Sequence, residues 1–167
     1  ISILSENFNA PTNSWTTVNN STGTNATNIA WSLKPDGYIY STYAAWHSND
    51  NSQFYLSNSD AGGSGSSTTT LLQSPSFSTL NYTSVDLKFY SYLYDSTPSS
   101  TTAKVQASLD GVAWTDLQTL TPISVNTSTS FTQVTVPLTA AFLNKPTVYI
   151  RFNYVASWRY FWGIDNV

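Results

Sequence analysis

Short runs in which apolar and polar residues alternate recur along this chain of 167 residues, while the three-to-four-residue spacing of an amphipathic helix is almost missing. Val85-Asp86-Leu87-Lys88-Phe89 puts Val85, Leu87 and Phe89 on one face of a half-buried strand. Residues 148–155 (VYIRFNYV) do the same with Val148, Ile150, Phe152 and Tyr154. Runs over 104–109 and 112–120 flank Asp110-Gly111, a hairpin signal because both turn residues must tolerate positive φ. Further strands are expected over 3–8, 38–44, 53–56, 69–73 and 132–136, the last ended by Pro137. Glu occurs once, Ala, Lys and Arg are scarce, and only 138–144 (LTAAFLN) can form a turn or two of helix.

Roughly ten short strands separated by polar loops describe an all-β chain, a β-sandwich or jelly roll of two antiparallel sheets. The length suits one domain over 1–167, without internal repeats. The Gly/Ser-rich stretch 58–70 (NSDAGGSGSSTTT) is expected to be a mobile loop or edge, and 96–102 a loop between strands. Both are too short for domain linkers. Ser, Thr and Asn make up about two-fifths of the residues, a load that suits disorder, but six Trp, eleven Tyr and eight Phe argue for a packed core.

Charge excludes further classes. Only 9% of residues are charged and the net charge is −3, so nothing here neutralises a phosphate backbone. No apolar run approaches the ~20 residues of a membrane-spanning helix. The absence of Cys excludes a disulfide scaffold and thiolate zinc sites. An uncharged surface rich in Ser, Thr and Asn suggests a secreted or cell-surface bacterial protein. The chain begins at Ile1 without a leader, and is expected to be a mature or excised piece of a larger secreted protein.

An ordered set of short motifs then stands out. Glu6-Asn7-Phe8, Pro11 and Trp15 open the chain. Leu71-Leu72-Gln73-Ser74-Pro75, the strand at 85–90, and the hairpin 105–114 (VQASLDGVAW) follow. The set closes with 148–152 and Trp162-Gly163-Ile164-Asp165-Asn166-Val167. In order and spacing, over nearly the whole chain, this resembles the MAM-like jelly-roll domains of bacterial surface proteins, of the cleaved-adhesin or choice-of-anchor type. The resemblance implies a non-catalytic accessory domain, attached to proteases, glycosidases or adhesins, often with a calcium ion joining the first strand to the last. Members with a second acidic calcium loop carry several Asp near the N-terminus. Residues 18–28 (VNNSTGTNATN) have no carboxylate, so a second ion of that kind is not expected.

Glu6 and Asp165 are the first site to weigh. A jelly roll sets its terminal strands side by side, so two carboxylates far apart in sequence can share one Ca²⁺. The ion takes about 6–8 hard oxygens, and it would offset the mutual repulsion of the acids. Asp60 or Asn58 can add an oxygen. The alternative is that both acids are solvated strand ends.

The aromatics are the second feature. Trp114 follows the hairpin at inward phase and is expected in the core with Phe89, Phe152 and Tyr154. Trp46, beside His47 and ahead of Asn49-Asp50-Asn51, and the cluster Trp158-Arg159-Tyr160, have the character of loop platforms. Exposed rings stack on the apolar faces of sugars, while Arg, Asn and Asp bond the hydroxyls. The competing reading is that Trp46, Trp158 and Trp162 only cap the ends of the sandwich. His47 is the lone His, no Gly-x-Ser-x-Gly elbow is present, and the Asp residues mostly occupy turns. Sequon matches at Asn19, Asn20, Asn25, Asn81 and Asn126 are expected by chance in this composition.

These readings point to a monomeric adhesion or carbohydrate-binding module, not an enzyme, with a glycan or surface ligand and one structural Ca²⁺. A purely structural spacer beside a catalytic domain remains open, and a small hydrolase using Asp residues is a third, remoter reading.

Overall fold

The computed structural model describes residues 1–97, 100–123 and 131–167; the sequon at Asn126 and part of the 96–102 loop lie outside them. Ten strands occur among the described residues: β1 (Thr16–Asn19), β2 (Ser32–Lys34), β3 (Phe54–Asn58), β4 (Thr68–Gln73), β5 (Asp86–Tyr94), β6 (Thr102–Ser108), β7 (Thr115–Leu120), β8 (Thr132–Pro137), β9 (Tyr149–Ala156) and β10 (Phe161–Asp165). They form two five-stranded sheets, ordered β1-β4-β9-β6-β7 and β2-β3-β10-β5-β8, with every pairing between these strands antiparallel. This is the jelly-roll sandwich that the alternating runs predict.

Period-two alternation decides which side chains meet. In the first sheet Leu72, Val105 and Phe152 share one row through the paired registers Leu72↔Phe152 and Val105↔Phe152. In the second, Phe89, Leu93, Trp162 and Ile164 face them. Phe152 meets Phe89 at 4.8 Å and Trp162 at 5.7 Å, edge to face. Each such fully buried ring contributes roughly 1.5–3 kcal/mol. Trp162 also satisfies its indole N–H on Ser91 Oγ at 2.9 Å.

Three strand expectations change. Residues 3–8 form no strand, because Phe8 turns out of extended backbone (φ 56) to plug the core against Trp15 and Tyr55. What joins the two ends is a reciprocal pair of backbone bonds, Glu6 N–H to Val167 O (2.8 Å) and Val167 N–H to Glu6 O (2.9 Å). Residues 38–44 form a loop held by one bridge, Tyr38↔Trp46. The run from 112 begins as a turn: Asp110 Oδ1 accepts the N–H groups of Val112 and Ala113, and Gly111 supplies φ 73. The strand starts only at Thr115.

The shifted register puts Trp114 outside the core, half-buried on the outer face, with the Arg151 guanidinium 4.2 Å above its ring. The Gly/Ser-rich stretch also differs from an open loop. Ser59–Gly62 is a turn of 3-10 helix, and a Cβ on Gly62 would lie 2.6 Å from Ile29 Cδ1, so close packing explains that glycine.

Candidate functional site

Two places on the second sheet gather the residues singled out above. They lie at opposite ends of β10, whose Phe161, Gly163 and Asp165 share the outer face.

At the Asp165 end, three segments meet. The N-terminal segment is docked by Gln53, whose Nε2 donates to Phe8 O (2.5 Å) and whose N–H donates to Asn9 Oδ1 (3.1 Å). Glu6 accepts the Phe8 N–H at 2.8 Å. The 48–52 loop brings Asp50 against the chain end: Asn166 Nδ2 donates to Asp50 Oδ2 (3.0 Å) and to Asp165 Oδ2 (3.2 Å). Burial raises the fully buried Asp165 carboxyl from 3.8 to about 6, and the charge of Asp50 adds to the rise, against hydrogen bonds from Ser48, Ser52 and the Asn166 N–H. Burial also pushes Asp50 up, but hydrogen bonds from Ser52, Asn166 and Ser48 outweigh it and hold its carboxyl low. Phe8, Asn51 and Asn166 all adopt positive φ around this corner (56, 56 and 47°). Neither acid makes an ion pair among the described residues. No described group of three or more His, Cys, Asp or Glu is arranged as a ready metal cage. Sequence reasoning passed over Asp50 at this corner; its signal was the polar run Ser48-Asn49-Asp50-Asn51-Ser52.

Asp60 is not part of that corner. Asn58 pairs with Phe161, at the far end of β10 from Asp165, and Asp60 lies two residues further on. Four strand steps span roughly 13 Å, which separates Asp60 from the terminal acids. Asp60 belongs to the second place, an aromatic face.

Here the expectation for Trp46 also changes. It is buried at 1% exposure, stacked on Tyr38 at 5.8 Å and edge-on to Phe161 at 4.9 Å. Tyrosines form the surface above it. Tyr38, Tyr40, Tyr43 and Tyr160 are half-buried and pack on Trp46, Tyr94 and Phe161. Tyr43 is pushed up to about 12 by burial and by the charges of Asp60 and neighbouring phenols, so it stays a neutral donor. Trp158 is 47% exposed beside them. Arg159 Nε donates to Ser100 Oγ at 3.1 Å, and its backbone carbonyl accepts the buried Tyr154 hydroxyl at 2.7 Å. Tyr160 thus belongs to the face, Trp158 and Arg159 precede it in the chain, and Trp46 supports the face from below.

An open cleft of about 430 Å³ runs along this face, walled by Tyr38, Tyr40, Lys34, Asn58, Ser32 and Asn28. Lys34 Nζ sits 4.7 Å over the Tyr38 ring and has no carboxylate partner among the described residues; burial holds its pKa down. Tyr160 was singled out in the sequence, whereas Tyr38, Tyr40 and Tyr43 escaped because 38–44 has the alternation of a strand. The signal against it was Pro35-Asp36-Gly37 just before.

The other features are less suggestive. A cavity of about 600 Å³ under the N-terminal segment has an apolar floor of Leu4, Phe77, Val85, Leu87 and Ile150 and a rim that includes Ser84, Asp86 and Lys88; none of the residues singled out as ligand-binding lines it. His47 Nδ1 lies 2.9 Å from Asp36 Oδ1 in solvent, and no hydroxyl among the described residues bonds its ring.

No protein-family model matches the chain, and no curated protein is significantly similar to it. Solved structures do match. The K1 cleaved adhesin domain of Lys-gingipain from Porphyromonas gingivalis superposes with a TM-score of 0.64 at 20% identity, over 99% of this chain and 95% of that one. The K3 cleaved adhesin domain of the same protein gives 0.62 at 20% identity, over 98% and 94%. TmCBM61, solved in complex with β-1,4-galactotriose, gives 0.51 at 8% identity, over 90% and 83%. At these identities the likeness is one of fold: the chain is a jelly-roll β-sandwich folded like those cleaved adhesin domains.

Proposed function

We propose that this is a non-catalytic, extracellular binding module that takes a glycan in the tyrosine-walled cleft of the second sheet. The observation that carries the reading is the cleft itself. Rings of Tyr38 and Tyr40 stand beside Lys34, Asn58 and Asn28, so apolar faces and hydrogen-bonding groups alternate on one open surface. Sugars have that same alternation of C–H faces and hydroxyls. A jelly roll of related fold, TmCBM61, is known in complex with a galacto-oligosaccharide. The Ser/Thr/Asn-rich composition with few charges fits a secreted location. Among the described residues no helix is long and apolar enough to cross a membrane.

The terminal corner would hold one structural Ca²⁺. The ion would draw on the buried Asp165 and on Asp50 beside it, with Ser and Asn oxygens between them, and Glu6 would have to reach in from the adjoining segment. Asp50 takes the place that Asp60 was expected to fill. The ion would supply the positive charge that the two aspartates lack and would fasten both chain ends to the 48–52 loop.

A glycan array followed by titration calorimetry tests the binding reading. Tyr40→Ala should remove most of the affinity, and Trp114→Ala on the opposite outer face should leave it intact. The burial of Trp46 favours one alternative, a structural spacer in a multidomain chain, and the absence of any bound glycan would select it.

A further inference from the structure

We propose that Tyr40, Tyr43, Tyr160 and Asp60 form a receptor for an ammonium group, so that the glycan bound on this face presents a free amino sugar. The identity of the ligand as a sugar rests on the binding reading above; the ammonium does not.

The carboxylate is the starting point. Asp36, Asp50, Asp95, Asp110, Asp116 and Asp165 each accept hydrogen bonds from side chains or backbone, and Asp86 stands in solvent. Asp60 differs from both groups. It is half-buried, and its carboxylate has neither a hydrogen bond nor an ion pair among the described residues. Burial alone pushes its pKa up. Its position is nonetheless fixed. Ala61 N–H donates to Asn58 Oδ1 at 3.1 Å, closing the 3-10 turn, and Asp60 N–H donates to Tyr160 O at 3.3 Å.

Three tyrosine rings pack together beside this turn. Tyr43 and Tyr160 stand perpendicular, at 89° and 6.3 Å between centroids. Tyr40 lies nearly parallel to Tyr43, at 14° and 6.3 Å. The Asp60 N–H bond to Tyr160 O ties its turn to this cluster, and the charge of Asp60 adds to the rise of the Tyr40 and Tyr43 phenols. A cation within about 6 Å of a ring centroid is attracted by the π face, and a carboxylate among such faces adds a full opposite charge.

Neither Lys34 nor Arg159 forms an ion pair with Asp60. Lys34 of β2 lies over Tyr38, opposite Phe54 of β3 and so towards the other end of the cleft. Arg159 turns its Nε to Ser100. A neutral hydroxyl would leave the charge of Asp60 uncompensated as the ligand covers it, whereas an ammonium would compensate it.

The test is calorimetry at pH 6.5 with three tetrasaccharides: β-1,4-glucosamine, its N-acetylated form, and the corresponding glucose oligomer. The expected result is at least tenfold tighter binding of the free amine. Asp60→Asn, nearly isosteric, should abolish that preference while leaving the melting temperature and the weak binding of the glucose oligomer unchanged. Tetramethylammonium should compete in the wild type and not in Asp60→Asn. Equal affinity for the three oligomers would overturn the ammonium receptor and leave glycan binding standing. Competent binding of tetramethylammonium with no oligosaccharide bound would keep the receptor and overturn the glycan. No binding of any probe would overturn both.

Discussion

The two sheets share one core and the same number of strands, but their outer faces are built in opposite ways. On the first, Lys104, Asp116 and Arg151 are joined through Gln106 into one network. Lys104 Nζ lies 2.6 Å from Asp116 Oδ2, Gln106 Nε2 donates to Asp116 Oδ1 at 2.6 Å, and Arg151 Nε donates to Gln106 Oε1 at 2.6 Å beneath Trp114. On the second, a layer of aromatics covers the strands, and Lys34 and Asp60 lack an oppositely charged side chain among the described residues. A face that satisfies itself has little left for a ligand. A face with unanswered charges between rings pays a desolvation cost that a ligand can relieve.

The largest effect should come from breaking the aromatic layer itself. Phe161 is fully buried and touches Tyr40, Tyr43, Trp46, Tyr94 and Tyr160. Phe161→Ala should cost about 3–5 kcal/mol in urea unfolding. Trp114→Ala, which removes a half-buried ring from the other face, should cost only about 1 kcal/mol. Equal losses would mean that the two faces are not different in kind.

Next comes the corner beneath the chain ends. Asp165 is raised to about 6 in the folded protein against an ordinary 3.8. The folded state therefore holds the proton more tightly, and stability falls as pH rises from about 4 to about 6. In chelator the loss should approach about 3 kcal/mol, from 1.36 kcal/mol per pKa unit. Saturating Ca²⁺ should reverse the trend and raise the melting temperature at pH 7, and Asp165→Asn should remove both the pH dependence and the calcium response. Identical melting curves with calcium and with chelator would sink the structural ion.

The sequence made the core legible and the surfaces only partly so, for a physical reason. Val85-Asp86-Leu87-Lys88-Phe89 and 148–155 keep strict alternation because a buried face tolerates no slip of register. Glu6 was expected beside Asp165 because a jelly roll sets its ends together, and the backbone pair that joins the ends is Glu6 with Val167. Trp114, Trp46 and Asp60 were misplaced because a bulge, a loop or a 3-10 turn reassigns direction without changing composition. The register shift between Val105 and Gln106 and the turn at 110–114 are invisible to alternation. The tyrosine face is assembled from the 38–46 loop and 160–161, more than a hundred residues apart, so no local pattern announces it.

On the binding face itself, Tyr40→Ala should weaken glycan binding about tenfold, a loss of roughly 1.4 kcal/mol, in line with one stacked aromatic contact. Its half-buried ring should cost less than about 1 kcal/mol in stability, so the losses in binding and folding separate. Lost affinity matched by a lost melting temperature would make Tyr40 a packing residue and return the face to structure.

The smallest effect belongs to the satisfied face. Lys104 and Asp116 are 32% and 46% exposed in their side chains, so their pair works in high dielectric and pays side-chain entropy to hold one geometry. Replacing both with Ala should change stability by about 0–1 kcal/mol, and the change should vanish in 1 M salt. Gln106 keeps its bond to Arg151 in that variant, which leaves the cation under Trp114 oriented. Glycan affinity should not move at all, because the core separates this network from the tyrosine cleft. A change in affinity would show that the two outer faces are coupled through the sandwich, and the division between a structural face and a binding face would then have to be given up.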